Sequence, residues 1–241
     1  GDFVVTGPAA SSLAPGVTTT FTITFTPTQA GTRTAQVHVG NNDADENPFD
    51  FTVQGTGISQ PPQIVSATAS KVELDTATLN ASINPRGAST TVTFQWGLTT
   101  SYGSSAGPFS AGSGVTALTV SSKLIGLQPN TTYNFKVVAT SSEGTVESSN
   151  VTFTTGIAYY VNDGPTTNHN WCAAIGNDAN DGLTPATPKA TVQAIISTYV
   201  LEPADVVRID TGSYSLSTDI AVSSTDQGST SAPVVFEASP Y

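Results

Sequence analysis

The sequence predicts an all-β protein that contains one short helix. Short stretches alternate apolar and polar residues with a period of two, as in residues 20–26, where Phe21, Ile23 and Phe25 alternate with threonines. Turn-forming Gly, Pro, Asn and Asp residues separate such stretches at intervals of roughly 8–12 residues, which is typical of β-sandwiches. Residues 189–201 instead place apolar side chains at helical spacing. These side chains are Val192, Ile195, Ile196 and Tyr199.

The first predicted unit covers residues 1–58. Alternating strands are expected over residues 20–26, 35–39 and 49–57, with an acidic loop before the last of them. The stretches "LAPGVTTTFTITFTPTQAGTRTA" and "NNDADENPFDFTVQGTG" resemble choice-of-anchor D domains of bacterial surface proteins. The resemblance implies an immunoglobulin-like sandwich. Members of that family begin a strand or two earlier, so we expect an N-terminally incomplete domain.

The second predicted unit covers residues 61–156 and follows a stiff proline linker, "QPPQ". Five alternating strands are expected in it, and the stretch "GLQPNTTYNFKVVATSSEGT" resembles fibronectin type III domains. The resemblance implies a sandwich in which Leu127, Pro129 and Tyr133 form a tyrosine corner, where the hydroxyl ties a loop to the backbone. Trp96 is interpreted as a core residue, and stacking of its ring on a sugar is the alternative.

The third predicted unit covers residues 158–241. The stretches "GNDANDGLTPATPKATVQAI" and "PADVVRIDTGSYSL" resemble the N-terminal start of right-handed parallel β-helix proteins of the pectate-lyase-like class, with Ala204 in place of the usual Gly. The resemblance implies a strand and a capping helix that close the end of the coil. Strands are also expected in "DIAVSS" and "APVVFEA". One or two rungs are not stable alone, so we expect a piece of a longer chain, or neighbouring copies that complete the coil.

The composition narrows the function classes. The chain has 7 Lys and Arg against 18 Asp and Glu, a net charge of -11, one Cys and no Met. Phosphate binding requires clustered cations, so nucleic acid is excluded as a partner, and anionic lipid is disfavoured for the same reason. No apolar run reaches the length of roughly 18 residues that spans a membrane. Low charge and little sulfur are typical of secreted and surface-array (S-layer) proteins, so we expect an extracellular or cell-surface location.

Residues 175–191, "IGNDANDGLTPATPKAT", contain the densest run of potential metal ligands. An EF-hand calcium loop has ligands at positions 1, 3 and 5, Gly at about position 6 and Glu at position 12. With Gly182 at the glycine position, Asn177 and Asp181 fit the first and fifth positions. Ala179 and Pro188 then occupy the third and twelfth positions, which excludes an EF-hand.

Two interpretations of this run stay open. The first is an irregular calcium site formed by Asp163, Asp178 and Asp181. The second is a turn-rich loop in which the Asn and Asp side chains, with Asn180 and Gly182, shape turns and the start of the helix. The acidic loop with Asp43, Asp45 and Glu46 has the same two interpretations, and a solvated turn is favoured there.

Three further motifs fail as catalytic or metal sites. Residues 103–107 match G-x-S-x-G, but they lie in a predicted Gly/Ser loop and no helix follows, as a nucleophile elbow requires. Residues 112–117 match a dinucleotide fingerprint but precede a strand. His169 and Cys172 supply two of the three or four ligands that zinc requires, and Cys172 is interpreted as a buried thiol. No catalytic residue is predicted, and β-helix lyases carry their active sites on later rungs.

The sequence therefore predicts a non-catalytic structural segment of a large secreted bacterial cell-surface protein. Such a segment of a stalk, filament or surface array spaces and assembles through its β-domains, and its partners are other copies of itself or the remainder of a longer chain. Two alternatives remain: the accessory N-terminal part of a β-helix polysaccharide lyase or hydrolase, and an adhesin that binds cell-surface glycan. Calcium is the one cofactor considered.

Overall fold

A computed structural model describes residues 1–8, 12–42, 45, 47–164, 170–216, 219–226, 228–230 and 232–240. The protein is all-β, as predicted: in this part of the chain it has fifteen strands and one short helix. The strands form separate sheets along the sequence. We describe the N-terminal segment (residues 1–58), the middle segment (61–156) and the C-terminal segment (158–241) in turn.

The N-terminal segment contains two antiparallel hairpin sheets, β1–β2 and β3–β4. Their strands are β1 (Phe3–Thr6), β2 (Thr22–Phe25), β3 (Gly31–Val39) and β4 (Phe49–Gly57). The predicted alternation holds in β2, where Ile23 and Phe25 are half-buried and the threonines are exposed. Aromatic rings connect the two sheets: the Phe21 ring lies 6.2 Å from that of Phe51.

The middle segment is a two-sheet antiparallel sandwich. One sheet has the order β5-β6-β9, and the other has the order β11-β10-β7-β8 with β12 also paired to β10. The strands are β5 (Gln63–Ser70), β6 (Thr76–Asn84), β7 (Thr90–Gly97), β8 (Ser104–Gly112), β9 (Leu118–Ile125), β10 (Thr132–Ser141), β11 (Gly144–Glu147) and β12 (Val151–Thr154). The inward faces form one hydrophobic core in which Leu79, Ile83, Phe94 and Phe135 are fully buried. Period-two burial along β6 and β10 explains why these strands were predictable.

The prediction of a Gly/Ser loop at residues 103–107 is wrong. Ser104–Gly112 forms β8, which pairs with β7 at one edge of the larger sheet. Glycine, serine and Pro108 have low strand propensity, but an edge strand tolerates them because only one side of it needs hydrogen bonds. Pairing with a well-formed neighbour therefore outweighs local propensity.

The C-terminal segment combines a parallel sheet with the one described helix. Its elements are β13 (Ala158–Val161), α1 (Val192–Thr198), β14 (Val206–Ile209) and β15 (Val235–Ala238). The sheet order β13-β14-β15 follows the sequence, with parallel pairing throughout. The helix lies where its spacing predicted: Thr191 caps its N-terminus by accepting the Ala194 N–H, and Val192 and Ile195 are buried. Together with Tyr159, Val161, Leu201 and Val207 they form a second core.

The strand predicted in "DIAVSS" is wrong for residues 219–224, which contain no strand. Asp226 accepts hydrogen bonds from the Ser223 N–H and hydroxyl and from the Leu201 N–H. These bonds draw the end of the stretch into a turn, so a short period-two pattern is insufficient there. Strands β1, β5 and β11 were not predicted.

Ala204 is held in the left-handed backbone region, with φ at 78°. The resemblance to parallel β-helix proteins placed a glycine at this position, and the backbone gives a physical reason for that preference.

We expect Ala204→Gly to stabilise the C-terminal segment by about 0.5–1 kcal/mol, because relief of strain exceeds the added chain entropy. Urea unfolding followed by Trp171 fluorescence measures this. Ala194→Gly in α1 is the control and should destabilise by about 1 kcal/mol; destabilisation by both changes would contradict the account.

Candidate functional site

The loop of residues 175–191 is organised around the side chain of Lys189. This side chain is 4% exposed, and its ammonium donates to the backbone carbonyl oxygens of Asp178 at 2.9 Å and Asn180 at 2.7 Å. The Lys189 backbone pairs with β13, because its N–H donates to the Tyr160 carbonyl and its carbonyl accepts the Asn162 N–H. A lysine ammonium is therefore the cation that this loop encloses.

The two loop aspartates shape the backbone. The Asp178 carboxylate accepts the N–H groups of Ala190 and Thr191, both at 2.9 Å, and the Thr191 hydroxyl at 3.1 Å. It thereby fixes the residue that caps α1. Asp181 accepts the Leu183 N–H and the Thr187 hydroxyl. The hydrogen bond from Thr187 and then that from Leu183 lower the pKa of the Asp181 carboxyl. Both carboxylates accept hydrogen bonds from N–H and hydroxyl groups of the loop, which is the role that the turn-forming interpretation gives them.

Asn180 and Gly182 close the same loop. The Asn180 side-chain amide donates to the Pro188 carbonyl at 2.9 Å. Gly182 has φ of 74°, and a Cβ added there would lie 2.7 Å from Cδ1 of Ile195. The position needs glycine on both counts, because the backbone conformation and the buried helix leave no room for a side chain.

Asp163 lies apart from these contacts, at the wall of a cavity beside the start of α1. Among the residues that the structure describes, no three His, Cys, Asp or Glu side chains cluster as a metal site does. The arrangement does not bring Asp163, Asp178 and Asp181 into one such group. Calcium binding stays a prediction, which melting with and without a chelator tests.

Two aspartates that the sequence did not single out hold the two ends of β14. Asp205 accepts the Ile157 N–H at 2.8 Å and the Glu202 N–H at 3.0 Å, and burial raises its pKa. Asp210 is 2% exposed and accepts four backbone N–H groups. Burial raises the pKa of Asp210, but these hydrogen bonds outweigh burial and lower it to about 2. The four donors are Asn170, Trp171, Cys172 and Thr211.

The predicted structural residues of the middle segment lie together beside β10. The Tyr133 hydroxyl accepts the Gln128 N–H at 2.9 Å, which is the contact of a tyrosine corner. The Pro129 carbonyl accepts the Thr131 hydroxyl at 2.8 Å. Trp96 is half-buried against the core, with its ring 5.9 Å from that of Tyr133. The ring therefore belongs to the aromatic packing of the sandwich.

We expect Tyr133→Phe to destabilise the middle segment by about 1 kcal/mol, since the Gln128 N–H loses its acceptor while the ring packing is kept. Urea unfolding followed by Trp96 fluorescence measures the change. Tyr102→Phe is the control, because its hydroxyl makes one 3.3 Å bond at an exposed position. Equal losses in the two variants would show that the corner has no special contribution.

The remaining motifs have the following positions. Ser105, the serine of G-x-S-x-G, lies in β8 opposite Gln95. Cys172 is buried, and burial raises the pKa of its thiol to about 12, so the thiol is a poor ligand and nucleophile. His169 lies outside the described residues, as do Asp43 and Glu46, while Asp45 is exposed.

No protein-family model and no curated protein matches the chain. Solved structures match parts of it. The sensor domain of the anti-sigma factor RsgI4 from Pseudobacteroides cellulosolvens is 21% identical over 40% of this chain and 95% of that chain, with a TM-score of 0.33. A fibronectin type III domain derived from human KIAA0970 protein is 22% identical over 38% of this chain and 72% of that chain, with a TM-score of 0.26. The FN1–FN3 domains of chicken CNTN1 are 12% identical over 56% of this chain and 62% of that chain, with a TM-score of 0.28.

Proposed function

We propose that the chain is a non-catalytic structural segment of a large secreted cell-surface protein. In this proposal residues 1–58, 61–156 and 158–241 are three β-domains, of choice-of-anchor D, fibronectin type III and parallel β-helix type. They act as a rigid spacer in a stalk, filament or surface array. The observation that carries the proposal is that both short connections between these domains are tied to the middle one by backbone contacts.

The connection after β12 is tied first at Gly156. Its N–H donates to the Glu73 carbonyl at 3.3 Å, and its carbonyl accepts the Asn130 N–H at 2.9 Å. A Cβ added to Gly156 would lie 1.9 Å from the carbonyl oxygen of Ala204, so the C-terminal segment packs directly on this residue. The two segments therefore meet without a free linker between them.

The next residue attaches to the far side of the same junction. The Ile157 N–H donates to the Asp205 carboxylate, and its carbonyl accepts the Val206 N–H at 2.9 Å. Gly156 and Ile157 are therefore bonded to opposite segments, and the connection between these segments is short. These bonds support the proposal of a fixed angle between the two segments.

The connection after β4 has fewer backbone hydrogen bonds than the second connection, but it contains two prolines that stiffen it. The Gln60 N–H donates to the Arg86 carbonyl at 3.0 Å. Pro61 and Pro62 follow, and Pro62 is buried. Proline fixes φ near about −65°, so this connection resists bending. The contacts at the two junctions support the proposal of a stiff spacer.

Composition supports the extracellular part of the proposal. Charged residues make up 10% of the chain and there is one Cys, as in secreted surface proteins of low charge. Within the described ranges, no helix has both the length and the apolar character needed to cross a membrane.

Assembly is proposed at the outer edge of β15. In the described part of the chain this edge pairs with no further strand. All four of its residues are exposed, including Val235 at 39% and Phe236 at 40%. An unpaired apolar edge is a template for another strand, from a further copy or from more of the same chain.

An antibody raised against the purified chain tests the proposal on cells of the source organism. We expect intact cells to be labelled and brief surface proteolysis to remove the label. An antibody against a cytoplasmic protein is the control and should label only permeabilised cells. Labelling that also requires permeabilisation would contradict a surface role.

A further inference from the structure

A cavity of about 410 Å³ opens in the C-terminal segment between the start of α1 and the loop that follows β14. Cavities of roughly 300–1,000 Å³ that combine apolar walls with a few polar groups are the usual form of small-molecule sites. The main lining side chains are Asp163, Val192, Ile209, Tyr214, Leu216 and Ile220. Five of the six are apolar or aromatic, and the sixth is a carboxylate.

The carboxylate of Asp163 differs from the other aspartates of this segment. Its Oδ1 is buried and has no hydrogen-bond partner among the described residues, whereas Asp205 and Asp210 each accept several N–H groups. A buried carboxylate oxygen without a donor keeps its full desolvation penalty. Such a group in a native protein calls for a missing donor. Asp163 also lines the adjacent cavity, and a small rotation of its side chain would present the carboxylate to a donor there.

The Asp163 carboxylate packs against Gly212. A Cβ added to Gly212 would lie 1.8 Å from Oδ1 of Asp163 and 3.3 Å from Cε2 of Tyr214. The carboxylate therefore rests on the Gly212 backbone beside the Tyr214 ring. The Tyr214 hydroxyl donates to the Asp210 carbonyl at 2.8 Å, and Tyr214 is also a lining residue of the cavity.

Two hydroxyls complete the polar side of the cavity. Ser213 and Ser215 line it, both are exposed, and neither has a hydrogen bond to another described residue. Hydroxyls accept as well as donate, so they suit the remaining N–H groups of a ligand that has bonded to the carboxylate. The chain's net charge of -11 raises the local concentration of cations.

We propose that this cavity binds a small organic ammonium. The ammonium N–H groups bond to the Asp163 carboxylate and the serine hydroxyls, and the apolar body of the ligand packs against Val192, Ile209 and Ile220. The Tyr214 ring supplies an aromatic surface that favours a cation. Binding of a soluble ligand by the C-terminal segment would be a function in addition to the proposed spacer role.

Titration of the full chain with cyclohexylmethylammonium and with cyclohexylmethanol, followed by ¹H–¹⁵N NMR, tests the proposal. The two probes share an apolar body and differ in the charged donor. We expect shifts at the cavity residues, and at least ~10-fold tighter binding of the ammonium, since hydrogen bonds to a carboxylate are strong. Equal affinities, or no shift at the cavity with either probe, would overturn the proposal.

Three variants assign the effect to Asp163. Asp163→Asn should remove the preference for the ammonium while the alcohol binds as before. Gly212→Ala should do the same, because the new Cβ displaces the carboxylate. Asp219→Asn is the matched control: it removes one charge from an exposed residue beside the cavity and should keep the preference. If Asp163→Asn and Asp219→Asn lose the preference for the ammonium equally, the preference comes from general charge attraction, and the proposed site is wrong.

Discussion

Asp210→Leu is expected to unfold the C-terminal segment while the middle segment stays folded. Leucine has no acceptor, so four backbone N–H groups lose their partner, of which those of Trp171 and Cys172 are partly or fully buried. Each buried donor left unsatisfied costs about 1–3 kcal/mol and the exposed donors cost less, so we expect a total loss of about 4 kcal/mol. That loss is comparable with the whole stability of a small domain, roughly 5–15 kcal/mol. The donors that lose their acceptor are Asn170, Trp171, Cys172 and Thr211.

The two tryptophans measure this result separately. Trp96 lies in the middle segment and Trp171 in the C-terminal one, so variants that keep a single tryptophan report each segment alone. In Asp210→Leu the Trp171 signal should be that of an unfolded chain at low urea, with the Trp96 transition unchanged. Asp219→Leu, at an exposed position, is the control. A normal Trp171 transition in Asp210→Leu would contradict the role given to this carboxylate.

The same residue predicts a pH dependence. Its pKa is lowered from 3.8 to about 2, so the stability it contributes is fully present above pH ~4 and is lost as pH falls toward 2. We expect the difference in unfolding free energy between wild type and Asp210→Asn to shrink over that window. Urea unfolding followed by Trp171 at pH 6 and pH 2.5 measures it. A difference that is constant with pH would show that the charge of Asp210 has no part in it.

Lys189→Met is the second large expected effect. Methionine keeps the apolar stem, but the carbonyl oxygens of Asp178 and Asn180 lose a charged donor inside a closed loop. Hydrogen bonds to charged groups contribute about 1.5–3 kcal/mol each, so we expect a loss of about 3 kcal/mol or more. The loop should open first, because those two bonds hold its centre.

Urea unfolding followed by Trp171 measures the loss, and hydrogen exchange at residues 176–191 shows where the loop opens. Lys123→Met is the matched control, since Lys123 is an exposed residue of β9. Its stability should stay within about 0.5 kcal/mol of wild type. If Lys189→Met also stays within that range, the buried ammonium is not what organises the loop.

Much of the fold was predictable because burial on one face leaves a period-two pattern in the sequence. Strands β6, β7, β9 and β10 show that pattern, and the helix shows its own period at Val192 and Ile195. β8 has no such pattern, since glycine, serine and proline fill an edge strand whose existence depends on pairing with β7. Local strand propensity carries no information about a partner strand that the tertiary fold supplies.

The loop at residues 175–191 was predictable in part. Asn and Asp at close spacing indicate side chains that bond nearby backbone groups, and Asp178 and Asp181 do so. The burial of Lys189 was not predictable, because a lysine near acidic residues normally indicates a solvated pair. Two carbonyls converge on its ammonium only after the loop has folded against β13.

A sequence signal did exist for Asp205 and Asp210, which stand immediately before and after a four-residue apolar-rich strand.

The distance distributions between spin labels across each junction test the rigid-spacer account most directly. Labels at Thr18 and Ser101 span the first junction, and labels at Ser101 and Ser197 span the second, all exposed positions, in a Cys172→Ser background. We expect one narrow distribution for each pair. Replacing Pro61 and Pro62 with glycines should broaden the first distribution and leave the second unchanged. Wild-type distributions as broad as that of the glycine variant would contradict a fixed arrangement of the three segments.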